Sequence, residues 1–323
     1  MNEAAYRAVT TDLDGFGAML VSQKLLRATG RDRATFLNGQ VSNDITLLLP
    51  GQVAHACLLN NTGHLVALLK IYVVENCIFI QTDSSRLQTV QETLNRFVVR
   101  ERVEFTPAGL SVVTVQGYGA EKAVGSIDGS VTGAGTVLVW AYNGRESMLL
   151  SNPRYSAAVG FDLIVENQDS ELLLADLTRL PGSVLLPNST EQTLRIEAGI
   201  PAWGSELDES VIPLEAGLEY AISFNKGCYM GQEVIARIHS RGHTNRSLVG
   251  FRLTSPIDVD TQLTAIGGDK KGQDVGRITS SVVSPRHGPI ALGYVRNEYA
   301  KPNMELSANE KLATVVPLPF NTR

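Results

Sequence analysis

Residues 226–237 read KGCYMGQEVIAR and set a single cysteine, Cys228, between two glycines, behind Lys226 and ahead of Gln232 and Glu233. A cysteine so placed could be a nucleophile, a ligand for a metal or cluster, or a small residue in a tight turn. Val234, Ile235 and Ile238 fall on one face at helical spacing, so the loop should deliver the chain into a helix whose first turn holds Gln232 and Glu233. A thiol ahead of a helix N-terminus and beside a lysine is favoured as thiolate, although Glu233 offsets part of that potential. On the other side of the balance, Gly227 and Gly231 suit backbone angles with positive φ, and a cysteine also packs as a small hydrophobe. A nucleophilic cysteine needs a base. His239 and His243 are nearby in the chain, but neither is assigned as that base from sequence.

The chain that must position this loop has 323 residues, 43% of them hydrophobic, which predicts two or three domains with a sizeable core. Its net charge of −5 argues against nucleic acid or an anionic membrane as the main partner. The N-terminal residues include Glu3, Asp12 and Asp14, without the basic start and apolar run of a signal peptide. Apolar runs such as residues 65–69 are too short to cross a bilayer, so a cytoplasmic protein with no membrane association is expected. Cys57, Cys77 and Cys228 are odd in number and lack CxxC spacing, which suits neither a disulfide framework nor a metal site held by one chain alone. Cys57 and Cys77 lie in apolar, β-like runs and should be buried.

Short apolar or alternating runs recur as AHACLL, LVALLKIYVV, CIFIQT, LSVVTVQGY, VLVWAY, SMLLS and FDLIV, and these predict strands. SRLQTVQETLNRFVV places Leu87, Val90, Leu94 and Phe97 on one stripe and predicts a helix. RDRATFLNGQ predicts a shorter helix capped by Asp32 or Thr29. Residues 176–190 read as a connection that ends in a cap at Ser189 or Thr190, and residues 125–136, rich in Gly and Ser, read as a hairpin or loop. Strands punctuated by helices without βαβ alternation indicate an α+β fold. Beyond residue 245 the texture changes to short β-like pieces, SLVGFRL, QDVGRITSSVV and IALGYV, which predicts a small barrel. The expected division is 1–245 and 246–323.

KGCYMGQEVIAR resembles the signature of the YgfZ-type folate-binding proteins, a branch of the glycine-cleavage T-protein (aminomethyltransferase) superfamily that also includes a mitochondrial iron–sulfur assembly factor. The likeness continues in RDRATFLNGQVSNDI, LRIEAGIPAWGSEL, IPLEAGLEYAISFNKGCYMGQE and VGRITSSVVSPRHGPIALGYV, in family order and across nearly the whole chain. The resemblance implies two interlocked α+β subdomains, one ferredoxin-like, around a central channel, together with a C-terminal β-barrel. It also implies tetrahydrofolate or a one-carbon derivative as cofactor.

A pterin edge presents paired N–H donors that one carboxylate can accept side by side. The resemblance assigns that carboxylate to Glu197, whose alternative reading is an ion pair with Arg195. Asn43 and Asp44 either line the same channel or cap a turn. Trp203 and Tyr72 either stack on a ring or pack in a core. Lys226, Tyr229 and Gln232 join them as folate-binding candidates, and Cys228 as the functional thiol or a transient cluster ligand. From Lys226 to Arg246 the basic residues Lys226, Arg237, Arg241 and Arg246 outnumber Glu233, which reads either as an anion-binding strip or as a solvated helix end; direct RNA binding is not expected.

T-proteins carry an Asp-Asp pair in the strand after a glycine turn, where this chain has Ala67 and Leu68. Neither side chain can position an amine or move a proton. His64, in that turn, reads as solvent-facing. The resemblance therefore implies a folate-binding protein that assists iron–sulfur client enzymes such as tRNA methylthiotransferases, rather than an aminomethyltransferase. A folate-dependent one-carbon transferase and a folate-gated interaction scaffold are the alternatives.

Overall fold

The computed structural model describes residues 1–128, 136–155, 159–267 and 270–320. The chain is α+β and divides into two compact units. One comprises residues 4–186 and 219–236; the other comprises residues 1–3, 187–218 and 237–323.

The first unit is built on a nine-stranded sheet: β1 (Phe16–Thr29), β2 (Val53–Leu59), β3 (Leu65–Val73), β4 (Ile78–Asp83), β5 (Glu104–Gln116), β6 (Val137–Tyr142), β7 (Arg145–Ser151), β8 (Gly160–Glu166) and the short β9 (Ser183–Leu185). Its order is β2-β3-β4-β1-β5-β8-β7-β6, with β9 parallel to β1. Seven of the nine coincide with the apolar runs read from sequence. The exception that matters is β1, the 14-residue spine that pairs with β4, β5 and β9. Its sequence, FGAMLVSQKLLRAT, has no clean period of two because register shifts near Lys24 break the alternation.

Helices cover one face of this sheet. Phe36 and Leu37 of α2 (Arg33–Gln40), with Val90 and Leu94 of α3 (Leu87–Arg96), pack on Leu26, Leu58, Leu69, Ile71 and Ile80. Ala123 and Val124 of α4 (Ala120–Asp128) and Leu173 and Leu177 of α5 (Ser170–Thr178) pack on Val113, Val115, Leu163 and Val165. Because side chains alternate along a strand, Tyr72, Phe79, Val112, Met148 and Ile164 belong to the opposite, inner face, where they form a separate apolar cluster. The sheet curls until its ends meet: Gln52 bridges Thr136, and Val137 N–H donates to Gly51 O at 2.7 Å.

Some local expectations change. Asp32 stands at the start of α2 without a side-chain capping bond; its carboxylate accepts instead from the Arg102 N–H at 2.8 Å. Of the stretch 125–136, residues 125–128 extend α4, and 129–135 lie outside the described residues. Asp176–Thr178 belong to α5, so the connection starts later than expected.

In the second unit, α6 (Asn188–Glu197) begins after Pro187, so Ser189 and Thr190 sit within its first turn rather than capping it. The C-terminal strands β10 (Arg246–Leu253), β11 (Gln262–Ala265), β12 (Asp274–Ser284), β13 (Gly288–Arg296), β14 (Glu305–Ala308) and β15 (Lys311–Val316) form a closed barrel in the order β10-β13-β12-β11-β14-β15. The barrel is filled by Phe251, Leu263, Val275, Ile278, Val295, Leu306 and Val315. Of the two remaining α-helices, α1 (Glu3–Thr10) precedes β1 and α7 (Gln232–Arg241) follows the cysteine loop; no helix among the described residues is long and apolar enough to cross a membrane.

Candidate functional site

The cysteine loop is held from beneath by Lys226. Its side chain is buried, and Nζ donates to the carbonyls of Asn38 (2.6 Å), Val41 (2.7 Å) and Asn43 (2.8 Å), with the ammonium 5.3 Å from the Tyr229 ring centroid. Burial lowers the Lys226 pKa to about 8, although Asp44 pulls it upward. Ser42 continues the anchor by donating to Ala221 O and accepting from the Cys57 N–H. The loop ends at Gly231, where φ is +79° and a Cβ would stand 2.5 Å from Asn60 O, so glycine is required. The facing turn carries Gly63 at φ +78° against Val234, whereas Gly227 lacks a positive φ and has open space around it.

On this scaffold Cys228 is exposed, while Cys57 and Cys77 are buried and burial pushes the Cys57 thiol up to about 12. The reading of Cys228 as a packed hydrophobe therefore gives way to that of an accessible thiol. Tyr229 is buried and Gln232 is half-buried at the start of α7. Asn43 and Asp44 make the turn that the sequence offered as one alternative: Asn43 donates to His55 O, and Asp44 Oδ1 accepts from Thr46 N–H and Oγ1–H. His64 is half-buried and its Nδ1 lies 2.9 Å from Thr62 Oγ1. The suggested anion-binding strip loses two members, since the Lys226 amine is committed to carbonyls and Arg246 pairs with Glu215 at 2.9 Å and stacks on Tyr294.

Glu197 ends α6 in the second unit and is buried at 2% exposure. Its Oε1 accepts a hydrogen bond from Ser284 Oγ at the end of β12. Arg195 does not pair with it. The guanidinium instead meets Glu206 Oε2 at 2.7 Å, and Glu206 Oε1 accepts from Thr279 and Ser280. The Gly-x-x-Thr-Ser segment of the barrel thus completes the buried ion pair of the LRIEAGIPAWGSEL segment. Trp203 is half-buried in the turn between these two charges, bridged to Leu207.

The inner face of the first unit's sheet holds a second charged group that the sequence reading did not identify. Tyr72, fully buried, donates to Gln81 Oε1. Two residues earlier on β3, Lys70 Nζ lies 3.8 Å from Asp162 Oδ2 on β8. Four inter-strand steps separate β3 from β8, about 19 Å along a flat sheet, so this contact exists only because the sheet curls. Asp162 Oδ2 also accepts from Arg154 (2.7 Å) and Asn152 (2.7 Å). Burial alone would raise the Asp162 pKa, but Arg154 and then Lys70 override it and keep the carboxyl below its ordinary value. Burial also lowers Lys70 to about 8 and, with Lys70 and Arg154 adding to it, lowers His55 to about 4. Of the two residues standing where T-proteins carry the Asp pair, Ala67 packs into the helix-covered core. Leu68, like Lys70 on the inner face by alternation, is half-buried.

The His55 shift predicts acid sensitivity. With a folded value below the unfolded one, the unfolded chain takes up the proton first as pH falls. Stability should therefore decline between about pH 6.5 and pH 4, by on the order of 2 kcal/mol after allowance for partial exposure. Urea melts across this range should show the slope, and His55→Phe, which keeps a ring against Tyr220, should flatten it.

Comparison with known proteins places this geometry. Residues 9–226 match the family described as GCVT N-terminal domain, and residues 246–321 match the glycine cleavage T-protein C-terminal barrel domain. The chain is 27% identical to an aminomethyltransferase of Bacteroides thetaiotaomicron, covering 90% of this chain and 83% of the relative. It is 26% identical to a putative chloroplastic transferase of Arabidopsis thaliana, covering 95% and 70%. The crystal structure of glycine cleavage system aminomethyltransferase T from Bartonella henselae shares the fold, with a TM-score of 0.85 at 20% identity over 95% of this chain and 86% of that one. A family match across two thirds of the chain, with its barrel partner following in order, makes this protein a member of the glycine-cleavage T-protein family.

Proposed function

We propose that this protein binds a reduced folate and uses the Cys228 thiol in the maturation of iron–sulfur client enzymes, tRNA methylthiotransferases among them. The observation that carries the reading is the pairing of an exposed cysteine with a built support: the Lys226 amine clamps three carbonyls beneath a loop whose thiol is accessible. A cysteine that only filled a turn would have no need of such presentation. The family membership supports folate as the ligand, and the Glu197 carboxylate suits a pterin edge.

A one-carbon transferase is the second reading, favoured by the transferase names of the relatives and by Asp162, a buried carboxylate on the inner face. One experiment separates the two. Cells carrying Cys228→Ala should lose tRNA methylthiolation and client cluster content, while the purified variant keeps its tetrahydrofolate affinity; Glu197→Gln should weaken that affinity about tenfold or more. Normal methylthiolation with Cys228→Ala, together with methylenetetrahydrofolate formation from an aminomethyl donor, would replace the first reading by the second.

A further inference from the structure

We propose that residues 96–102, at the turn from α3 into β5, dock an acidic protein surface that offers an aliphatic side chain between carboxylates. Val99 in this turn is 82% exposed, the most exposed large hydrophobic side chain among the described residues. Arg96, Arg100 and Arg102 flank it in the chain, are exposed, and make no salt bridge among the described residues. Arg31, 68% exposed on the adjoining turn, has only Asp32, at 3.6 Å. Arg33 spends its guanidinium on the carbonyls of Gly30 and Glu75. Residues 30–33 and 96–102 thus carry five arginines against Asp32 and Glu101, in a chain whose net charge is −5.

The two acids hold these turns in shape. Glu101 Oε2 accepts from the N–H groups of Val99 and Arg100, both at 3.0 Å, and such bonds keep the carboxyl below its ordinary value. Asp32 Oδ2 receives the Arg102 N–H at 2.8 Å, and the Asp32 N–H donates to Arg102 O at 3.2 Å. Gly30, at φ +95°, permits this approach, since a Cβ there would stand 2.1 Å from Arg102 O. Both carboxylates are therefore engaged with backbone donors, which leaves the guanidiniums of Arg96, Arg100 and Arg102 open. Arginine is enriched at protein interfaces, and a turn already in shape has little ordering left to do on binding.

The chemistry favours a protein over the other polyanions. A single-stranded nucleic acid is held by stacking on exposed aromatic rings, and the one aromatic residue here, Phe97, packs against the helix-covered core. The net negative charge of the whole chain also opposes a long polyanion. One valine is too small an anchor for a lipid surface, where even a whole acyl chain binds only reversibly. Carboxylates of a protein partner, in contrast, pair with forked guanidiniums, and an aliphatic side chain between them covers Val99. This inference does not rest on the folate reading.

The test is fluorescence anisotropy of the full chain with dye-tagged N-acetyl-Glu-Asp-Glu-Leu-Glu-Asp-Glu amide, the same peptide with serine for leucine, and oligouridylate, beside co-sedimentation with vesicles of phosphatidylcholine and phosphatidylserine. The leucine peptide should bind most tightly, about fivefold above the serine peptide, and should weaken as salt is added. Val99→Ser should abolish the preference for leucine. Arg100→Ser combined with Arg102→Ser should weaken both peptides about tenfold. Glu101→Ala separates a built site from diffuse attraction: it makes the turn more positive, yet it should weaken the leucine peptide because Val99 and Arg100 lose their shared acceptor. The valine and arginine variants should melt at the temperature of the parent chain. The proposal is overturned if neither peptide binds, if oligouridylate or the vesicles bind more tightly, if leucine confers no advantage, if Glu101→Ala tightens binding, or if the arginine variant melts several degrees lower. Such a failure leaves the folate reading standing, because that reading is scored on tetrahydrofolate affinity and client activity.

Discussion

Replacing Glu206 with alanine is expected to destabilise the unit containing the barrel by about 3–5 kcal/mol, the range for removing one partner of a buried ion pair. The carboxylate receives Arg195 at 2.7 Å, the Ala202 N–H at 3.1 Å, and the hydroxyls of Thr279 and Ser280 at 2.9 and 2.5 Å. Alanine would strand a guanidinium that is only 5% exposed. The Arg195→Met/Glu206→Leu pair should recover much of the loss, because the penalty belongs to the stranded charge more than to the missing attraction. Urea melts of the singles and the double would measure the coupling. Glu197 lies two residues from Arg195 and bonds to Ser284 on the strand that carries Thr279 and Ser280. Folate affinity should therefore fall with Glu206→Ala even though Glu206 itself is placed in no ligand contact.

Lys226→Met is expected to produce the next largest effect, a loss on the order of 3 kcal/mol, together with loss of every Cys228-dependent activity. Methionine preserves most of the stem and removes the charge, so the carbonyls of Asn38, Val41 and Asn43 lose their shared donor. Lys226→Arg should not rescue fully, because a planar fork cannot converge on three carbonyls as a compact ammonium does. Hydrogen exchange at residues 38–46 and 223–232, compared with Cys228→Ala, separates the roles. The lysine variant should loosen both segments, and the cysteine variant should leave them protected.

The extent to which this architecture was legible depended on sequence distance. Strands whose neighbours are close in the chain declared themselves, as did α3, whose stripe at Val90 and Leu94 is buried. The start of the barrel coincides with the change of texture near Arg246. The cysteine loop was recognisable as a motif, but the destination of the Lys226 amine was not, since its three acceptors lie more than 180 residues earlier. The Lys70–Asp162 contact was harder still, because it spans 92 positions and depends on the curl of the sheet. One signal was available. Lys70 in LVALLKIYV is the single charge of its strand, and Asp162 in GFDLIVE is the one charge of its strand that is flanked on both sides by apolar residues; such a charge needs a partner wherever it is buried.

The seam between Gly51–Gln52 and Thr136–Val137 bears on how safely the chain can be made. An open sheet offers two rows of unpaired backbone groups that can capture a strand from another molecule. In the finished fold the outer strands β2 and β6 turn toward each other at the seam, which shortens both rows. That protection depends on residues 136–137 having been synthesised and placed. A chain emerging N-terminus first therefore carries an unguarded β2 edge while β3, β4, β1 and β5 assemble beside it, and this interval is its period of greatest vulnerability to mispairing.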